Sequence, residues 1–209
     1  MIDLYAITQA PGPSLRGLAP LRVLASGRLA IVYAPAAGGE VTADALWHHE
    51  EAIEALMAEH DVLPFRYGTR CEDEAAASRA IEAREAELAT TLERIRGAVE
   101  LSVRVMTMSP VGPRRAPDAS PAEYLACRER ASTQVREAAE GVHEPLAALA
   151  RASRQRTGSE PSEVLRGAYL VERDEVDHFA RTVAQLQSRC DHLRLLCTGP
   201  WPPYSFAQP

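Results

Sequence analysis

Residues 108–121 read MSPVGPRRAPDASP and carry four prolines. Each proline removes a backbone donor and fixes φ, so neither a helix interior nor a central strand runs through such a segment. The stretch predicts a linker over 109–121. It leaves an N-terminal α+β domain at 1–108 and a C-terminal domain at 122–209, the latter ending in an aromatic–proline tail. A globular chain of this length buries roughly 70% of the surface its unfolded form exposes. Both halves therefore have apolar material for a core, much of it alanine.

In the first half, IDLYAIT (2–8) alternates loosely and predicts a strand. LRVLASGRLAIVYA predicts two strands around Ser26-Gly27, a short hairpin rich in β-branched residues. Thr42 suits an N-cap, and Leu46, His49, Ile53, Leu56 and His60 recur at spacings of 3 and 4 on one helical face. VLPFRYGTRC is neither helix nor simple strand, punctuated by Pro64 and Gly68. A second helix is expected from Asp73 to Arg96, with Ala77, Ile81, Leu88, Leu92 and Ile95 inward and Gly97 as its stop. AVELSVRVMT alternates strictly and predicts a half-buried strand.

In the second half a long helical pattern starts at Pro121, with Leu125, Val135, Val142 and Leu149 on a seven-residue beat. Gly141 and Pro145 should kink or break it. RASRQRTGSEPSE reads as a mobile loop and VLRGAYLVER as a strand. A helix capped by Asp174 follows, with Val176, Phe179, Ala180, Val183 and Leu186 on one face, then a final strand HLRLLCT. The order is that of an α+β protein, with a split βαβ sheet for the first half. The closing strand–helix–strand suggests parallel neighbours.

Net charge is −6, and all 23 basic residues are arginine. A mildly acidic chain is a poor nonspecific ligand for nucleic acid. No stretch approaches the ~20 apolar residues of a membrane span. Asp3 and the lack of an early Lys or Arg argue against a secretory signal. Cys71, Cys127, Cys190 and Cys197 form no CxxC pair and read as reduced thiols of a cytosolic protein.

WHHEEAIEALMAEH invites a metal reading, but adjacent histidines face apart, and His49 and His60 lie about 16 Å apart along a helix. No metal or cofactor is expected. No GxSxG, Walker A loop or GxGxxG is present. Cys71 follows Arg70 at a helix entry, a place that lowers thiol pKa, or is an ordinary thiol at a junction. In LPFRYGT, Arg66 sits between Phe65 and Tyr67. It is either presented to a partner or tied to local carbonyls and carboxylates. A small-molecule enzyme on an α+β scaffold is the alternative reading and requires a deep pocket near Arg66, His49 and Cys71.

The segments HEEAIEALMAEHDVLPFRYGT (49–69), AVELSVRV, GAYLVERDEVDHFARTVAQL and CTGPWPPYSF together resemble the GvpL/GvpF family of gas vesicle proteins over residues 2–206. The last string is the most specific. The resemblance implies a two-domain α+β protein. Its first domain would be ferredoxin-like in outline and its second α/β with a long, coiled-coil-like helical part. It implies a cytoplasmic, gas-vesicle-associated accessory or minor structural protein without enzymatic activity. Its partners would be the small hydrophobic main shell protein and other gas vesicle accessory proteins, with no nucleic acid or membrane. Arg66, Tyr67 and Thr69 become candidate partner-binding residues, and the apolar stripe Ile81, Leu88 and Leu92 is core or a second partner surface. Pro64, Gly68, Pro200, Trp201, Pro202, Pro203, Tyr204 and Phe206 become structural motif residues. The tail prolines predict an extended path. Its aromatics would either clamp the domains or form an exposed lip for an apolar client.

Overall fold

The computed structural model describes residues 1–36, 38, 42–108, 120–156 and 162–207. The chain forms two compact units, Met1–Val99 with Trp201–Pro209, and Glu100–Pro200. Of the expected linker, 109–119 lie outside the described residues.

The first unit opens with β1 (Ile2–Gln9), β2 (Arg22–Ser26) and β3 (Leu29–Pro35). Ser26 pairs with Leu29, which leaves the two-residue turn Gly27-Arg28. Gly27 takes φ +59° there, the positive φ that a hairpin turn of this length needs at its first central residue. Next come α1 (Ala43–Glu59), the two-residue strands β4 (Leu63–Pro64) and β5 (Arg70–Cys71), α2 (Glu74–Glu82) and α3 (Glu85–Ile95). The sheet runs β2-β3-β1-β4, β5 also lies on β1, and all these pairings are antiparallel. Three strands precede the first helix, so this unit lacks the split βαβ order expected of it.

Thr42 caps α1, its hydroxyl accepting from the Ala45 N–H. His49, Ile53, Leu56 and Met57 are buried, whereas Leu46 is exposed, so the inward stripe starts one turn later than expected. The single helix expected at 73–96 is two helices, broken at Ala83-Arg84. The apolar spacing hides the break, because Ala77, Ile81, Leu88, Leu92 and Ile95 are buried on both sides of it. Ile81, Leu88 and Leu92 are thus core residues. The break places Glu85 in the first turn of α3, where its carboxylate accepts from the Arg28 N–H at 2.6 Å and ties down the hairpin turn.

The second unit is built from β6 (Ala98–Thr107, begun in the first unit), α4 (Pro121–Ala148), β7 (Ala152–Arg156), β8 (Glu163–Glu172), α5 (Val176–Arg189) and β9 (Leu193–Trp201). The sheet order is β7-β8-β6-β9. Strand–helix–strand–strand–helix–strand with the first strand in the interior is the split βαβ order, so it belongs to the second unit rather than the first. β8 and β9 are not neighbours, since β6 lies between them. β7 occupies part of the expected loop, and 157–161 lie outside the described residues.

Ser120 and Glu123 form a capping box at the start of α4. The helix runs its 28 residues through Gly141 and Pro145, which neither stop it nor split it. Pro145 would crowd the carbonyl four residues back, and that residue is Gly141, which has no side chain to resist the adjustment. Both are exposed, so the carbonyl that loses its donor faces solvent. Among the described side chains, α4 packs inward through Ala139, Val142 and Leu146 in its last third; Leu125 is exposed, and the side chain of Val135 lies outside the described residues. The core gathers these with Leu101, Val103 and Val105 of β6, Tyr169 of β8 and Phe179 and Val183 of α5. Among the described residues, no helix is long and apolar enough to cross a membrane.

Candidate functional site

The motif segments of the first unit converge on α1. His49 is 2% exposed, and its Nε2 lies 2.9 Å from the Phe65 carbonyl oxygen. Its ring stacks at 4.5 Å on Tyr5 of β1 and meets Tyr67 edge-on at 5.5 Å. Burial, with Asp3 and Tyr67 adding, pushes the Tyr5 phenol up. One residue further, Glu50 accepts from the Tyr204 hydroxyl at 3.0 Å. Burial and the carboxylates of Glu50 and Glu54 hold that phenol well above its ordinary pKa, so it stays a donor. Consecutive residues of α1 thus hold the loop on one side and the tail on the other.

The loop is an excursion from the edge of β1. Pro64 is buried and pairs with Ala6, the Phe65 N–H donates to the Tyr5 carbonyl, and the Leu4 N–H donates to the Thr69 carbonyl. Between these anchors, Arg66–Thr69 form a β-turn closed by the Thr69 N–H on the Arg66 carbonyl at 3.1 Å. Gly68 has φ +81°, the third-position conformation of a type II turn, where a side chain would be strained. The Thr69 hydroxyl also donates to the Arg66 carbonyl, at 2.7 Å, so it serves the turn rather than the surface. Tyr67 is half-buried, and Arg66 is exposed with no hydrogen bond from its guanidinium to any described residue.

The tail is not a long polyproline path. β9 continues to Trp201, after which the chain turns tightly: the Tyr204 N–H donates to the Pro202 carbonyl and the Phe206 N–H to the Pro203 carbonyl. Pro202, Pro203 and Phe206 are buried in the first unit, Pro200 is exposed and Trp201 is 41% exposed. Arg94 of α3 donates to the Phe206 carbonyl at 2.9 Å. Tyr5, Glu50 and Arg94 were not legible as site residues. Their partners are backbone carbonyls or residues distant in sequence, which leave no local pattern.

The other candidates lie elsewhere. His48 is exposed, its Nδ1 2.6 Å from the Asp44 carbonyl oxygen. Among the described residues no group of three His, Cys, Asp or Glu could hold a metal ion. Cys71 is half-buried in β5. An open hollow of about 430 Å³ is lined by Ser14, Arg16, Leu56, Glu59 and His60, and excludes Arg66, His49 and Cys71. Leu46 and Trp47 project from the N-terminal part of α1, 44% and 67% exposed.

The same architecture occurs in the crystal structure of gas vesicle protein GvpF from Microcystis aeruginosa, with a TM-score of 0.81 over 100% of this chain and 99% of that one at 17% identity. At that identity the likeness speaks for the fold. The sequence speaks for the family: residues 3–208 match gas vesicle synthesis protein GvpL/GvpF, and the chain belongs to that family. It is 30% identical to gas vesicle protein F of Streptomyces sp. (strain CB03234), over 98% of each chain. It is also 30% identical to gas vesicle protein L of that strain, over 79% of this chain and 69% of the other. Membership implies a role in gas vesicle formation, and this is not a known enzyme family.

Proposed function

We propose that the chain is an accessory or minor structural protein of gas vesicle assembly that binds the small hydrophobic main shell protein through the surface around the Arg66–Thr69 turn. The carrying observation is a turn anchored on β1 at both ends and held by His49, which presents an uncommitted guanidinium beside an aromatic ring. A turn fixed before binding loses little entropy on docking. Arg66 and Tyr67 are the contact residues, and Thr69 acts by shaping the turn. The exposed Leu46 and Trp47 add apolar surface of the kind a hydrophobic client covers. The protein would work at the gas vesicle, alongside other gas vesicle proteins.

The test is capture of the coexpressed shell protein by the wild type, Arg66→Ala, Tyr67→Ala and Trp47→Ala, each checked for folding by circular dichroism. Capture by the wild type that falls roughly tenfold in folded Arg66→Ala or Tyr67→Ala supports the reading. Equal capture by all four moves the contact away from this turn. No capture of a soluble shell protein by the wild type overturns direct binding.

A further inference from the structure

The two edges of the second sheet are built differently. β7 ends its sheet with exposed Arg154, Gln155 and Arg156, the charged trim that discourages another strand from pairing. On the other edge, β9 carries no charge from Leu195 to Gly199. The Met108 N–H, just past β6, donates to the carbonyl of His192, just before β9; continued along β9 this phase turns the backbone groups of even-numbered residues toward β6 and those of odd-numbered ones outward. Gln187 of α5 agrees. Its side-chain amide donates to the Leu193 carbonyl at 2.9 Å and accepts from the Leu195 N–H at 2.7 Å, standing where a fifth strand would begin. Beyond it the outward groups of the regular strand are the Leu195 carbonyl, the N–H and carbonyl of Cys197, and the N–H of Gly199. Among the described residues no strand pairs with that side. Gly199 then ends the regular edge, its φ of +120° departing from strand geometry.

This open stretch is complementary to itself. About a two-fold axis at Cys197, each Cys197 N–H meets the other copy's Cys197 carbonyl, and each Gly199 N–H meets the other copy's Leu195 carbonyl. The register ends where Gln187 of one chain meets Pro200 of the other. We infer that the outer edge of β9 is the seam of a two-fold dimer, in which a second copy of this chain adds its β9 antiparallel and centred on Cys197. In this register Leu196, 43% exposed, stands opposite Thr198 of the second copy in a pair without mutual hydrogen bonds. Such pairs have Cα atoms about 4.5 Å apart, close enough for their side chains to touch.

Sedimentation of the full chain over a range of concentrations, with three sequences compared, tests the seam. The wild type is expected to show a reversible dimer. The double variant L196E/T198E sets carboxylates against each other twice and weakens the dimer about tenfold or more; L196R/T198E sets opposite charges together and keeps it. Both variants alter the same two positions, so a loss of folding would appear in both. Diamide oxidation of the wild type should yield a covalent dimer that Cys197→Ser abolishes, since Cα atoms about 5.5 Å apart are within disulfide reach. A wild type that is monomeric at every concentration overturns the proposal, even if the edge then takes up an extended peptide of another protein. Two charge variants that dimerise equally well overturn the register and with it the seam.

Discussion

His49 meets a carbonyl, and a carbonyl can only accept. Nε2 therefore carries a proton, pointing at Phe65, with the ring held between Tyr5 and Tyr67. His49→Ala takes the hydrogen-bond partner from the Phe65 carbonyl and leaves a void between two aromatic rings, at a cost of about 2–3 kcal/mol. Urea unfolding should show a lower midpoint with an unchanged slope. His49→Gln keeps a donor and should lose less. A cost below about 0.5 kcal/mol would mean that the loop is held by its β1 anchors alone. The burial of His49 was legible, because 3 and 4 spacing places it with Ile53 and Leu56. Its hydrogen-bond partner was not, since a backbone acceptor has no residue type to announce it. The Tyr204–Glu50 bond spans 154 residues and was hidden for a different reason: neither residue repeats on any local period.

β8 shows what an element needs beyond its apolar alternation. Gly167 and Tyr169 point to the same face, and a Cβ at Gly167 would lie 2.5 Å from the Tyr169 ring. The ring has no room to retreat, being 0% exposed, bonded through its hydroxyl to His143 Nδ1 at 2.9 Å, and packed 5.2 Å from Phe179. Gly167→Ala should therefore destabilise the second unit by about 1–3 kcal/mol, read as a lower urea or thermal midpoint. No change would show that the ring can swing aside. β8 itself was legible because Leu165, Tyr169 and Val171 recur at even spacing on its buried face. β7 was not, because ASRQR is an edge strand whose exposed polar side chains look like loop. The break between α2 and α3 was invisible for the converse reason, the buried stripe continuing across it in phase. The unbroken α4 carries Pro145 on an exposed face, with Gly141 at the position whose carbonyl the proline ring crowds.

For the molecule as a whole, the buried phenols and one imidazole set limits of stability in pH. Tyr169 is pushed well above the ordinary phenol value of 10.0, chiefly by burial, and Tyr204 likewise by burial and its acidic neighbours. The folded chain keeps these protons when the unfolded chain has begun to release them. Their contribution is thus intact below pH 10 and is lost as pH rises above it. His143 lies on the other side. Burial, partly opposed by Glu144, lowers it from 6.5, so the folded state prefers the neutral ring that accepts from the Tyr169 hydroxyl. Its contribution is present above pH 6.5 and lost as pH falls, when the unfolded chain takes up the proton first. The carboxylates of Glu87, bonded to Arg84, and Glu123, bonded to the Ser120 backbone, are held below 4.5, so their share disappears only at lower pH. Urea midpoints at about pH 5, 7.5 and 11 should be highest in the middle. His143→Gln keeps an acceptor for Tyr169 without titrating, so it should flatten the fall between about pH 6.5 and 5 and leave the alkaline fall in place. Tyr204→Phe should do the reverse, weakening the alkaline fall and sparing the acid one. A His143→Gln chain that falls in acid as steeply as the wild type would place the acid limit on another group, and would break the link drawn between this imidazole and the core of the second unit.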